Sequence, residues 1–206
     1  MPSRPRDADD VFPADPTDPC AQALALTELA TARLTTDPVR AEALLRRALT
    51  IGAAALPADQ LARLSSLIVT AVAGQPGRDH DLAAAALAAA RSWQGLSATD
   101  AAHHTLLAAR IHFRVGDHRT AAALFRQALS HPGIPYPASE IAVLHEQFGT
   151  SLTALHRHRA AAREFTLGAR LIADDPTFRE LHADLLASAA AARTAARRRA
   201  LFPRRR

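Results

Sequence analysis

The chain has 206 residues, of which 49% are hydrophobic and only 4% aromatic, with a single cysteine and a formal net charge of +5. That length suits one full domain or a short repeat array, and the lone Cys20 excludes an intrachain disulfide framework and any cysteine-pair zinc or redox centre. All 25 basic residues are arginines, unevenly placed: residues 1–20 carry net −3, residues 193–206 net +7 and the body between net +1. Basicity is therefore a property of the tail, and the body has no sign of a nucleic-acid face.

Residues 1–18 are rich in proline and aspartate, contain no apolar signal core and read as a disordered leader. The body, 19–192, reads as one helical domain, because alanine is the commonest residue and loses no side-chain entropy in a helix. A first helix is predicted over about 20–35. Thr36-Asp37-Pro38 has the form of an N-cap followed by proline at the first helical position, opening a helix to about 55. Leu56-Pro57-Ala58 opens a third, about 57–73, and the break at 74–79 precedes a fourth, about 79–93. Ser97 to Asp100 has the spacing of a capping box and opens a fifth, about 98–115. A tight turn at 115–117 leads into the sixth, about 118–131, and a loop over 131–137 precedes the seventh, about 138–156. The eighth is expected over about 158–174. Asp174-Asp175-Pro176 starts a ninth that runs to about 200 and leads into an arginine-rich tail, 193–206. No alternating strand pattern interrupts the series. No apolar run reaches the length of a membrane span, so a cytoplasmic location is the expectation.

The second helices of successive pairs share a pattern. Ala41, Leu45 and Ala48; Ala83, Leu87 and Ala90; Ala121, Phe125 and Ala128; Ala161, Phe165 and Gly168 each place a large residue four after a small one, with another small residue three later. The large residues are 42, 38 and 40 positions apart, and turn aspartates Asp37, Asp79 and Asp117 precede three of them. Steps of four and three stay on one helix face. Small residues there let a neighbouring helix approach while the large one fills the gap. Helix pairs that cannot bury their apolar faces alone must stack.

On these residues the chain resembles the tetratricopeptide repeat (TPR) family, in a long-period form of about 40 residues. The best match is the last pair, where His145, Phe148-Gly149 and Leu152 are followed by Ala161 and Phe165. The resemblance implies an all-α fold: a right-handed α-α superhelix of about four TPR-like helix pairs, with the ninth helix capping the open end. It also implies a concave groove lined by first helices. That groove would carry His103, Leu106, Arg110, Phe113 and Arg114 on the fifth helix, and Val143, Glu146, Thr150 and Thr153 on the seventh. On the first helix it would carry Ala23, Leu26, Ala30 and Arg33. Arg110 and Arg114 share a face and, with His103, suit a carboxylate or acidic peptide.

The function expected is a non-catalytic scaffold, adaptor or regulatory module that binds a peptide or protein segment. Two alternatives stand beside it. One is a regulator that meets nucleic acid or an anionic surface through the tail arginines Arg197, Arg198, Arg199, Arg204, Arg205 and Arg206. The other is an accessory subunit of a bacterial enzyme assembly or biosynthetic cluster. No phosphate loop, nucleophile elbow or metal-binding histidine motif is present in the sequence, so no catalytic residue, metal or cofactor is expected. An open solenoid end exposes apolar surface, which makes a homo-oligomer a further expectation.

Overall fold

The computed structural model describes residues 18–131, 133–134 and 136–201. Among them are nine α-helices and no strand: α1 Pro19–Thr31, α2 Pro38–Gly52, α3 Ala58–Ala73, α4 Asp79–Trp93, α5 Ala98–Arg114, α6 His118–Leu129, α7 Ala138–Ala154, α8 His158–Leu171 and α9 Arg179–Leu201. The chain divides into two compact units, residues 1–96 with α1 to α4 and residues 97–206 with α5 to α9. Within each unit every helix packs on the next in sequence. Short connections between packed neighbours make them antiparallel.

The caps expose the period. First helices of pairs are capped at Asp18, Pro57, Ser97 and Pro137, which are 39, 40 and 40 residues apart. Second helices are capped at Asp37, Arg78, Asp117 and Arg157, spaced by 41, 39 and 40. Where the cap side chain is short and polar it does the expected chemistry. Asp37 accepts from the Arg40 amide at 2.9 Å, Ser97 from Asp100 at 3.2 Å and Asp117 from Thr120 at 3.1 Å.

Five residues past each first-helix cap lies a buried alanine: Ala23, Ala62, Ala102 and Ala142. In α2, α6 and α8 the predicted small–large–small triplets start four residues past the cap, and all are buried. In α4 the expectation fails. Asp79 is the first helical residue rather than the cap, so the register begins one residue earlier, at Arg78. The fully buried residues are Ala86 and Ala89, and Leu87 is only half-buried. The wedge of this helix is therefore an alanine.

The turns obey the same register. The residue before the cap of α4, α6 and α8 has positive φ: Gly77 at 76°, Gly116 at 80° and His156 at 57°. Glycine adopts this backbone freely and histidine does not. The ninth helix begins later than expected, because Asp175 caps a 3-10 turn, Pro176–Phe178, that comes first. From α9, Leu185, Ala189 and Ala192 are buried, and the Leu185 side chain lies next to Gly168 of α8.

Beside the buried hydroxyls Ser65, Thr105 and Ser151, a glutamate network and a histidine interrupt the alanine core. In the first unit, Glu42 on α2 accepts from Arg78 and Arg46, and from Gln75 Nε2 at 2.8 Å. Burial pushes the Glu42 carboxyl up, but the hydrogen bonds from Arg78, Gln75 and Arg46 together outweigh it and hold it below its ordinary value. The same Gln75 amide donates to the carbonyls of Pro38 and Ala71, so α2 is tied to the end of α3. In the second unit His104 is 7% exposed, at the register position that holds Leu64 in α3 and Leu144 in α7. Burial, aided by the neighbouring His103, lowers its pKa to about 4, so it is neutral at pH 7.

Candidate binding surface

Counting from the caps also finds the solvent side of the first helices. Residues six, ten, thirteen and seventeen past the cap are His103, Leu107, Arg110 and Arg114 on α5, and Val143, Gln147, Thr150 and Ala154 on α7. These steps of three and four form one stripe. None of the eight is buried: His103, Arg110, Arg114, Thr150 and Ala154 are exposed and the rest half-buried.

Arg110 and Val143 meet at a cavity of about 290 Å³ together with Tyr136, Glu140 and Phe178. The Tyr136 hydroxyl shares a hydrogen bond of 2.5 Å with Nδ1 of His103, and the two rings are 5.9 Å apart. Burial raises the Tyr136 pKa, with Arg110 pulling the other way, so at neutral pH the phenol keeps its proton and offers a donor or an acceptor. Guanidinium, carboxylate and phenol thus converge on an apolar floor, which suits a short peptide segment with mixed polarity.

Other predicted groove residues lie elsewhere. Leu106 is 1% exposed and belongs to the hydrophobic core; the stripe takes Leu107 instead. Phe113 packs partly against that core, next to the His118 ring. Glu146 is half-buried, and Thr153 is exposed with its hydroxyl donating to the Gly149 carbonyl at 2.9 Å. Arg114, Thr150 and Thr153 do not line the cavity. On α1 the expectation is overturned for three residues: Ala23, Leu26 and Ala30 are core, while Arg33 donates to the Leu29 carbonyl. The TPR resemblance implies a groove face on α1, but the face these apolar residues occupy is the one α1 buries.

Of the tail arginines, Arg197, Arg198 and Arg199 are exposed on α9, whereas Arg204, Arg205 and Arg206 lie outside the described residues. The sequence places Arg197, Arg198 and Arg199 both within the ninth helix, expected to run to about 200, and in the arginine-rich tail. In the structure α9 continues through them and lies along α8. Arg193 donates to Thr166 at 2.8 Å, and Arg199 donates to the His156 carbonyl at 3.2 Å. Two adjoining cavities of about 640 and 510 Å³ open there, sharing Arg159 and Ala196. The signal that would have found them is the spacing of Arg159, Arg163 and Arg170 on one face of α8.

Among the described residues no group of three or more His, Cys, Asp or Glu is placed to hold a metal ion, and no helix is long and apolar enough to cross a membrane. No family model and no curated protein matches the chain. Solved structures do match by fold. One is the STAND (signal transduction ATPase with numerous domains) protein with a tetratricopeptide repeat sensor from Pyrococcus horikoshii, at 13% identity and a TM-score of 0.59. That match covers 88% of this chain but only 28% of the archaeal one. Another is BtubC (BKLC) from P. vanneervenii, at 19% identity and a TM-score of 0.55, covering 93% of this chain and 87% of that one. The chain is similar to these proteins in fold, as an all-helical repeat that resembles TPR modules.

Proposed function

We propose that the chain is a non-catalytic scaffold or adaptor that binds a peptide or protein segment along the solvent side of α5 and α7. The observation that carries this reading is the convergence of Arg110, Glu140 and Tyr136 on one cavity, beside His103 and next to an otherwise continuous exposed stripe. The likeness in fold to a protein with a TPR sensor supports a recognition role for such a stripe. Arg110 supplies a fork for a partner carboxylate, Glu140 an acceptor for a partner amine or amide, and Val143 with Phe178 the apolar contact.

The test is affinity capture with the full-length chain, comparing wild type with the double variant Arg110→Glu/Arg114→Glu. Both side chains are exposed, so the variant keeps its fold. Loss of the partners that wild type retains supports the reading. Recovery of the same partners by both proteins refutes it.

A further inference from the structure

We infer that the groove between α8 and α9 is a second recognition site, for an acidic protein segment that carries an apolar residue between its carboxylates. This goes beyond the α5–α7 surface and does not depend on it. The two adjoining cavities between these helices are lined by eight arginines and by no carboxylate. A cluster of that size repels itself unless anions approach it, and guanidinium forks match carboxylate oxygens two at a time.

The spacing fits an extended peptide. Arg159 and Arg163 are one helical turn apart on α8, and Arg193 and Arg197 one turn apart on α9. Four residues of helix rise about 6 Å. Alternate residues of an extended chain recur at about 6–7 Å. A peptide laid along the groove with acidic residues at every second position therefore meets successive arginines.

The floor chooses between kinds of polyanion. Between Arg163 and Arg170 lies Leu167, 44% exposed, with Ala162 and Ala196 beside it. A phosphate backbone has nothing to place against a leucine, whereas an apolar side chain of a peptide does. Binding of single-stranded nucleic acid relies on aromatic platforms for the bases, and among the described residues no Phe, Tyr or Trp lines either cavity, only the imidazoles His156 and His158 at one end. A duplex presents its phosphates on the outside and would ride on the arginine rims without placing an apolar group on this floor.

The probe is a fluorescein-labelled twelve-residue peptide alternating glutamate with serine, with one central glutamate replaced by leucine so that its side chain points the same way as the carboxylates. Its binding to the full-length chain is read by fluorescence anisotropy at low salt. Wild type is expected to bind it. Arg163→Glu/Arg197→Glu is expected to weaken binding at least about ten-fold, and Arg163→Gln/Arg197→Gln to a smaller extent. Leu167→Ser is expected to weaken it several-fold, and the same peptide with serine in place of its leucine to bind wild type correspondingly less well. Arg47→Glu/Arg91→Glu, an equal charge reversal at exposed residues that line neither site, is expected to leave binding unchanged, and Arg163→Glu/Arg197→Glu to keep the partners captured through α5 and α7, so the two readings fail separately. Circular dichroism confirms that each variant is helical; if the charge-reversal pair does not fold, the glutamine pair decides. Three results overturn the inference: no binding by wild type, equal binding by the Arg163/Arg197 variants, or tighter binding of a single-stranded oligonucleotide of equal charge with no effect of Leu167→Ser.

Discussion

Gly149 on α7 lies so close to Phe165 on α8 that a Cβ added to the glycine would sit 2.6 Å from Cε1 of the ring. The ring is 5% exposed and held in the core, so it has little room to give. The equivalent register positions of the other pairs show the same reciprocity of size. Ala109 goes with Phe125, Ala30 with Leu45, and Val69 with the alanine wedge Ala86. The volume shared by two facing helices is kept roughly constant by trading one residue against the other.

Gly149→Ala should therefore destabilise the second unit, although alanine is the better helix former by about 1 kcal/mol. Overpacking costs about 1–3 kcal/mol, so the net loss expected in urea unfolding is up to about 2 kcal/mol. Adding Phe165→Leu should recover part of that loss, although Phe165→Leu alone destabilises. A double-mutant cycle with no coupling would show that the two residues do not share this space.

Much of this architecture is legible in the sequence because its signals are local. Asp37-Pro38, Ser97 and Asp117 announce helix starts through chemistry contained within four residues. The buried triplets of α2, α6 and α8 follow from those starts. In α4 the aspartate sits one residue inside the helix, and reading Asp79 as the turn residue shifts the whole helix from Ala86 to Leu87. Leu106 is a related case: the adjacent leucines 106 and 107 point about 100° apart around the helix, and only packing says which one is inside. The Glu42 network joins residues 33 to 36 positions apart, and the α8–α9 groove needs two helices side by side. The network has no local signature, and the arginine face of α8 announces only one wall of the groove.

His104→Leu should stabilise the second unit and flatten its pH dependence. With its pKa lowered from 6.5 to about 4, His104 takes up a proton more readily when unfolded. Stability is then greatest above about pH 6.5 and falls as the pH drops from there toward 4. Urea unfolding at pH 7 and pH 5 should show a wild-type loss of about 1–2 kcal/mol, reduced in the variant. The leucines at the same position of α3 and α7 show that the fold accepts the replacement.

Glu42→Ala should destabilise the first unit by about 2–4 kcal/mol, because it leaves the Gln75 amide and the Arg78 guanidinium without their shared acceptor. The sign with pH is fixed by the lowered carboxyl. The Glu42 contribution is complete above its ordinary value of 4.5 and is lost as the pH falls below it. Unfolding followed through Trp93, which donates to Ser66 at 2.8 Å within the same unit, reports it.

His156→Gly should stabilise the turn between α7 and α8. The left-handed backbone at φ 57° strains a residue with a Cβ by about 1–2 kcal/mol, part of which is offset by the greater freedom of glycine in the unfolded chain. The expected net gain is about 0.5–1 kcal/mol in urea unfolding. The carbonyl that accepts from Arg199 belongs to the backbone and survives the change. A loss of stability would mean that the imidazole itself holds the turn, through its ring contact with His158.

Recognition along the solvent side of α5 and α7 would slow amide exchange in those two helices. Hydrogen–deuterium exchange on the full-length chain, alone and with a captured partner bound, tests it most directly. Slowed exchange concentrated in residues 98–114 and 138–154, and absent in the Arg110→Glu/Arg114→Glu variant, is the predicted result. Unchanged exchange in both helices, with protection confined to other parts of the chain, would contradict it.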